Sequence, residues 1–120
     1  MRAILLLTIL FFPTTVWAFC DNWSTTDTVM ESAFVSLTIV DWSQTKEFVA
    51  QGTLEEQNPI LGKHPSQARI DTYMILAIAA QAGVACWLPQ EWREGFLAGS
   101  VVIEAWAVNN NLTLGVRGRF

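Results

Sequence analysis

Basic residues are scarce in this sequence. Seven Lys and Arg stand against eleven Asp and Glu in 120 residues, a formal net charge of −4. A protein that tracks a phosphate backbone needs a basic surface, so the balance argues against nucleic acid as a partner. Charge of either sign is thin, at 15% of residues, while 52% are hydrophobic. That departs in both directions from an ordinary soluble domain. Histidine occurs once, at His64, and the two cysteines, Cys20 and Cys86, lie far from it and from each other. A single histidine with no cysteine near it gives zinc little to bind. The chain has no CxxC, no phosphate-loop glycine pattern and no Ser-His-Asp spacing. The reading is therefore a non-enzymatic protein with no metal and no cofactor. Internal repeats and low-complexity segments are missing as well, and the length allows one small domain.

What is present is apolar and helical. The start, "MRAILLLTILFFPTTVWAFC", has a positive n-region at Arg2, an apolar core from Ala3 to Phe12, a break at Pro13 and small residues at Val16 and Ala18. This is the pattern of a signal peptide over 1–18, cleaved after Ala18. An uncleaved anchor is the competing reading, and at roughly 15 residues it is short for a span. Beyond the polar, cap-forming "CDNWSTTDT", three helices are expected, at about 27–51, 65–88 and 91–109, followed by an extended tail over 110–120. Gly52 suits the first C-cap. "IDTYMILAIAAQAGVACWL" is the clearest membrane segment, about 19 residues long, and Pro89 ends it. Asn109, Asn110 and Asn111 stop the third helix. The tail "LTLGVRGRF" alternates apolar and polar residues like a strand. A closing barrel strand would need partners that the chain does not offer, so the tail reads as an amphipathic segment lying along the bundle.

Charge placement gives an orientation. With the mature N-terminus outside, Lys63 and Arg69 of the first connection and Arg117 and Arg119 of the tail fall on the inner side, with Lys46 near the preceding helix end, and Arg93 alone on the outer, which satisfies the positive-inside rule. Trp87 and Trp92 flank the outer connection as belt residues do. The expected location is the bacterial inner membrane, with the connection 52–65 cytoplasmic. Cys20 and Cys86 then share the oxidising side, where they pair as a disulfide or remain two free thiols.

Intramembrane polar groups are the natural site candidates. Thr38, Asp41, Thr45 and Phe48 share one helical face with Gln44 beside them, and Ser100, Glu104, Ala107 and Asn111 share another. The expected cluster is Asp41, Gln44, Thr45, Gln81 and Glu104. It reads as a set of interhelical hydrogen bonds or, functionally, as a proton or cation site. Gly95 and Gly99 form a GxxxG, which lets helix backbones approach closely. The polar connection "EEQNPILGKHPSQARID" has a geometric reading. Asn58 caps a short turn begun by Pro59, Ile60 and Leu61 face the bundle, and Gly62 ends the turn. His64 then caps the second helix, with Pro65 in its first position. Glu55, Glu56, Lys63 and His64 are left over from that account as a place for a partner.

"DWSQTK", "EEQNPILGKHPS", "RIDTY" and "IEAWAVNNNLTLGVRGRF" together resemble a group of small uncharacterised phage, prophage and bacterial membrane proteins. The resemblance covers most of the mature chain. It implies shared positions at Asp41, Gln44, Thr45, Glu56, Asn58, Pro59, Leu61, Gly62, Pro65, Ser66, Tyr73, Glu104, Asn111 and Gly115. Gln57 departs from a tighter Glu-Asn-Pro form. What the resemblance implies is architecture, not a mechanism. The expected protein is all-α, a signal peptide plus a three-helix membrane bundle. Its partners are the lipid bilayer and either itself or another membrane protein. An oligomeric proton or ion pathway through Asp41 and Glu104, and a soluble periplasmic helical protein, are the readings it competes with.

Overall fold

Ser24 and Asp27 cap each other's backbone. The Ser24 hydroxyl accepts from the Asp27 N–H at 3.1 Å, and the Asp27 carboxylate accepts from the Ser24 N–H at 2.9 Å. This capping box satisfies two amide donors that a helix start leaves orphaned. In the computed structural model, which describes residues 20–52, 59–62 and 64–118, it opens α1 (Thr25–Gln51), which closes at Gly52 in the left-handed conformation, φ +68°. Helix α2 (Gln67–Trp87) is capped by the Ser66 hydroxyl, which accepts from the Arg69 N–H at 3.2 Å. It stops at Leu88, held extended because Pro89 follows. Helix α3 (Gln90–Thr113) starts directly after that proline. Among the described residues all regular structure is helical, and the order is α1, α2, α3. The expected signal peptide and residues Glu55, Glu56, Asn58 and Lys63 lie outside the described residues.

Two expected boundaries move. The second helix does not begin at Pro65 with His64 as its cap: Ser66 supplies the capping oxygen and Gln67 is the first helical residue. His64 is exposed and Pro65 is buried, so the pair belongs to the turn before the helix. The third helix does not stop at the asparagine run. It continues to Thr113, and the tail over 110–120 is helical for its first four residues. Gly115 is the true stop, at φ +83°. Its N–H donates to Leu112 O at 3.0 Å, and the Val116 N–H reaches back to Asn111 O at 3.0 Å. Together these form a Schellman closure, with the apolar residue after the glycine, Val116, fully buried. The run from Leu112 to Val116 is thus a helix end and its cap, not strand pleating. The tail beyond it folds onto α1, where the N–H groups of Arg117 and Gly118 both donate to the Glu47 carboxylate.

Helices α1 and α3 run parallel, side by side. Asp27 meets Arg93 near their starts, and Asp41 and Gln44 meet Asn111 near their ends. Helix α2 runs antiparallel to both. Its start bonds the end of α1, where Trp42 Nε1 donates to Asp71 at 2.8 Å and Lys46 pairs with the same carboxylate at 3.0 Å. Its end is joined to the segment before α1 by the Cys20–Cys86 disulfide, Cα–Cα 5.0 Å. Helix α1 therefore packs on both neighbours, while α2 and α3 touch little beyond their connection. A small apolar core of Leu61, Ile70 and Met74, with Trp42, Val49 and Tyr73 against it, seals the α1–α2 end. Leu61 from the connection joins this core, but Ile60 beside it is 65% exposed. Arg69 holds the turn by donating to Ile60 O at 2.8 Å.

The disulfide closes a loop of 66 residues. Reduction is expected to lower unfolding stability by about 4 kcal/mol on the loop-entropy scale. Denaturant titration with and without reductant measures this.

Candidate functional site

A continuous file of polar side chains runs through the interior, mostly from one face of α1. Asp27, Glu31, Thr38, Gln44 and Thr45 are all buried, interleaved with Phe34 and Phe48. Steps of three and four residues run from Asp27 to Thr38, and the half-buried Asp41 continues them to Gln44, Thr45 and Phe48, so all lie along one stripe. That stripe faces α3, which contributes Arg93, Glu104 and Asn111, and α2, which contributes Gln81.

At one end, Arg93 is 1% exposed and its whole fork is occupied. Nε donates to Ala85 O at 2.7 Å. Nη1 donates to the Asp27 carboxylate at 3.3 Å and to the Gln90 side chain at 3.1 Å. Nη2 donates to Leu88 O at 2.8 Å, to Asp21 O at 2.9 Å and, more weakly, to Cys86 O at 3.5 Å. Trp23 covers the guanidinium, its ring centroid 5.1 Å away, and donates its own N–H to Thr28 at 2.9 Å. Three of the acceptors are carbonyls at the C-terminal end of α2, where the helix dipole favours a cation.

At the other end, the Asn111 amide donates to Asp41 at 2.8 Å and to the Gln44 side-chain oxygen at 3.1 Å. The Gln44 amide donates to Val108 O at 3.3 Å and, at the limit of a bond, to Val116 O at 3.5 Å. Glu104 stands on α3 next to Asp41, and one of its oxygens, Oε2, is buried with no hydrogen-bond partner.

Between the two ends lies Glu31. It is 1% exposed, and neither carboxyl oxygen has a hydrogen-bond partner. The Gln81 side chain lies beside it, and both polar atoms of that amide are likewise buried and unpartnered. Thr38, on the next turns of the stripe, is turned back onto its own helix, donating to Phe34 O at 2.9 Å.

The expected cluster is therefore divided. Asp41, Gln44 and Glu104 come together, joined by Asn111, and Thr45 is buried on the same stripe. Gln81 belongs to a different level, with Glu31. Sequence reasoning missed Glu31, Asp27 and Arg93 as members of the file. The signal for the first two was present: extending the Thr38–Asp41–Thr45 face backward in helical steps reaches both. Of the connection motif, Pro59, Gly62 and His64 are near the surface and Pro65 is buried. Gly62 has φ +82°, as a turn stop requires. Gly95 and Gly99 do not pack inside the bundle. Both are exposed, and a Cβ at either would meet nothing within 4 Å. Among the described residues no three His, Cys, Asp or Glu side chains converge as metal ligands would. The chain matches no family model, no curated protein and no solved structure.

Breaking a buried ion pair from one side leaves an uncompensated charge. Arg93→Ala is therefore expected to cost about 3–5 kcal/mol of stability. Arg93→Lys should fail to restore it, because an ammonium cannot reproduce the planar fork. Chemical denaturation of the three proteins gives the comparison. At the other end, Gln44→Leu and Asn111→Ala are each expected to cost about 1–3 kcal/mol. The double variant should lose less than their sum, which a double-mutant cycle reads directly.

Proposed function

We propose that this chain is an integral membrane protein of a bacterial inner membrane, that all three helices cross the bilayer, and that it acts by contact with itself or another membrane protein and not by catalysis. The observation that carries this reading is an inversion of polarity. The apolar helix Gln67–Trp87 is long enough to cross a membrane, yet only 17% of its most apolar stretch is buried inside the bundle. The core helix of a soluble protein would be mostly covered. Meanwhile Asp27, Glu31, Gln44 and Arg93 are buried, and Ile75, Leu76, Val102, Ile103 and Trp106 are each more than half exposed. Such an arrangement is unfavourable in water and favourable in lipid. Helices α1 and α3, of 27 and 24 residues, are about 40 and 36 Å long, enough for a hydrocarbon core of about 30 Å despite their polar inner faces.

The charges support an orientation with the disulfide end outside. Lys46, Arg69 and Arg117 lie at the opposite end, the expected cytoplasmic side. Arg93, the one basic residue of the outer connection, is buried and paired with Asp27, so it presents no positive charge to the outer surface. Trp87 and Trp92, 83% and 67% exposed, suit the outer headgroup region. The open GxxxG of α3 supports contact through that helix, because small residues let a second helix approach closely. The likeness of the sequence motifs to phage and prophage membrane proteins fits this class and adds no activity.

An alkaline carbonate wash of cell membranes should leave the protein in the pellet. Release into the soluble periplasmic fraction would refute the membrane assignment. In-membrane crosslinking should capture a dimer or a complex with another membrane protein, weakened by Gly99→Leu. A monomer with no crosslinked partner would refute the contact role.

A further inference from the structure

We infer that Glu31 and Gln81 form a proton-binding site, in which Glu31 takes up a proton and closes an acid–amide pair with Gln81 across α1 and α2. The inference rests on the membrane reading above only for the setting in which the site operates. The site itself follows from the geometry.

Four polar atoms lie together at one level of the bundle, two from Glu31 and two from Gln81: the Gln81 amide is within reach of the Glu31 carboxyl, yet none of the four is in a well-formed hydrogen bond. Buried polar atoms are satisfied almost without exception, so four neighbouring orphans point to something that completes them. A carboxylate has only acceptors, and the Gln81 amide has one acceptor and two donors. With Glu31 ionised, the amide nitrogen can serve the carboxylate, but the amide oxygen has no donor to receive. Adding one proton changes this. Glu31 O–H then donates to Gln81 Oε1, Gln81 Nε2 donates to the other Glu31 oxygen, and all four atoms are used in a closed two-bond ring. Nothing else is consumed: the proton comes from water, no covalent bond to carbon is broken, and the charge on Glu31 goes from −1 to zero.

The charged groups around the site do not offer an alternative. Asp27 stands one turn away on α1; its Oδ2 accepts from Arg93 and from the Ser24 N–H, and its Oδ1 is buried without a partner, so it offers Glu31 no donor. All five N–H hydrogens of Arg93 are directed at the acceptors given above, so its cation is committed elsewhere. Glu104 on α3 and Asp41 on α1 lie further along the file, roughly 10 Å or more in helical rise, and both are acids. On α2 the nearest titratable group toward the opposite end is Tyr73, in the small core. Glu31 therefore faces an uncharged amide from one helix and acids on its own helix and α3, and no cation is left to it.

The experiment is infrared spectroscopy on the purified full-length protein at neutral pH, read in the region of the protonated carboxylic acid stretch, together with mass-spectrometric mapping of dicyclohexylcarbodiimide, which modifies protonated buried carboxyls. Wild-type protein should show a protonated-acid band and carbodiimide labelling at Glu31. Glu31→Gln, nearly isosteric, should lose the Glu31 labelling and the Glu31 component of the band, leaving any contribution of Glu104, while keeping its helical circular dichroism. Gln81→Leu should keep the acid band but shift it toward that of an acid without a hydrogen bond. Absence of a protonated-acid band in the wild type, or a band and labelling pattern that Glu31→Gln leaves unchanged, overturns the proposal. So does a band that emerges only when sodium is withdrawn, since the site would then belong to a cation. Labelling of the wild type requires no variant to fold. The carbonate wash tests membrane residence separately, so a protein that washes free but shows the Glu31 band rejects the membrane reading alone.

Discussion

Arg93 is where the molecule is tied together. Its guanidinium takes a carboxylate from α1, backbone carbonyls from the end of α2, a side chain from its own helix and a carbonyl from the segment before α1. No apolar side chain could make those connections, and the Ala85 and Leu88 carbonyls in particular are left without partners by the sharp reversal between α2 and α3. The Leu88–Pro89 corner exposes helix-end carbonyls that cannot be bonded within α2. Arg93 turns this deficit into a joint, and the Cys20–Cys86 disulfide locks the same corner covalently.

A second joint lies at the far end, where Asn111 binds Asp41 and Gln44. With α1 and α3 parallel and anchored at both ends, their register is determined for the whole distance between. Whatever occupies the facing stripes is then interior, whether polar or not. This is why Glu31, Thr38 and Glu104 are inside while Val102, Ile103 and Trp106 are out. Specific hydrogen bonds fix the register of the two helices, and Phe34, Phe48 and Leu97 are buried between the polar groups.

Much of this was legible beforehand, and the failures have physical causes. The all-helical class, Gly52 as a C-cap and the pairing of polar faces on the first and third helices follow from spacing and turn chemistry, whereas the charge pattern left the two cysteines open between a disulfide and free thiols. The asparagine run misled because three consecutive asparagines weaken a helix locally, whereas Asn111 is held by two tertiary bonds that outweigh the propensity. The His64–Pro65 start misled because Ser66, one residue further on, has the better capping oxygen. Arg93 was invisible as a site residue for a different reason. A lone arginine in a short connection looks like a surface charge, and nothing local announces that carbonyls from another helix end will converge on it. Gln81 was grouped with Asp41 and Glu104 because all are polar interruptions of apolar segments. Only the antiparallel register of α2 reveals that its level is that of Glu31.

The saturation of Arg93 also bears on Glu31. A buried carboxyl one turn from a buried guanidinium would ordinarily be assigned to it as a counter-ion. Here the guanidinium has Asp27 and more carbonyl acceptors than it has hydrogens to spare, so no donor remains for the next acid along the stripe. The charge of the corner is already balanced as one Arg against one Asp, and an ionised Glu31 would add a buried negative charge without a cation. Proton uptake removes that charge without disturbing the joint, and Gln81 is placed at the one level of α2 where an amide can receive the resulting hydroxyl. The joint that fixes the fold thus also determines which acid in the file is left to bind a proton.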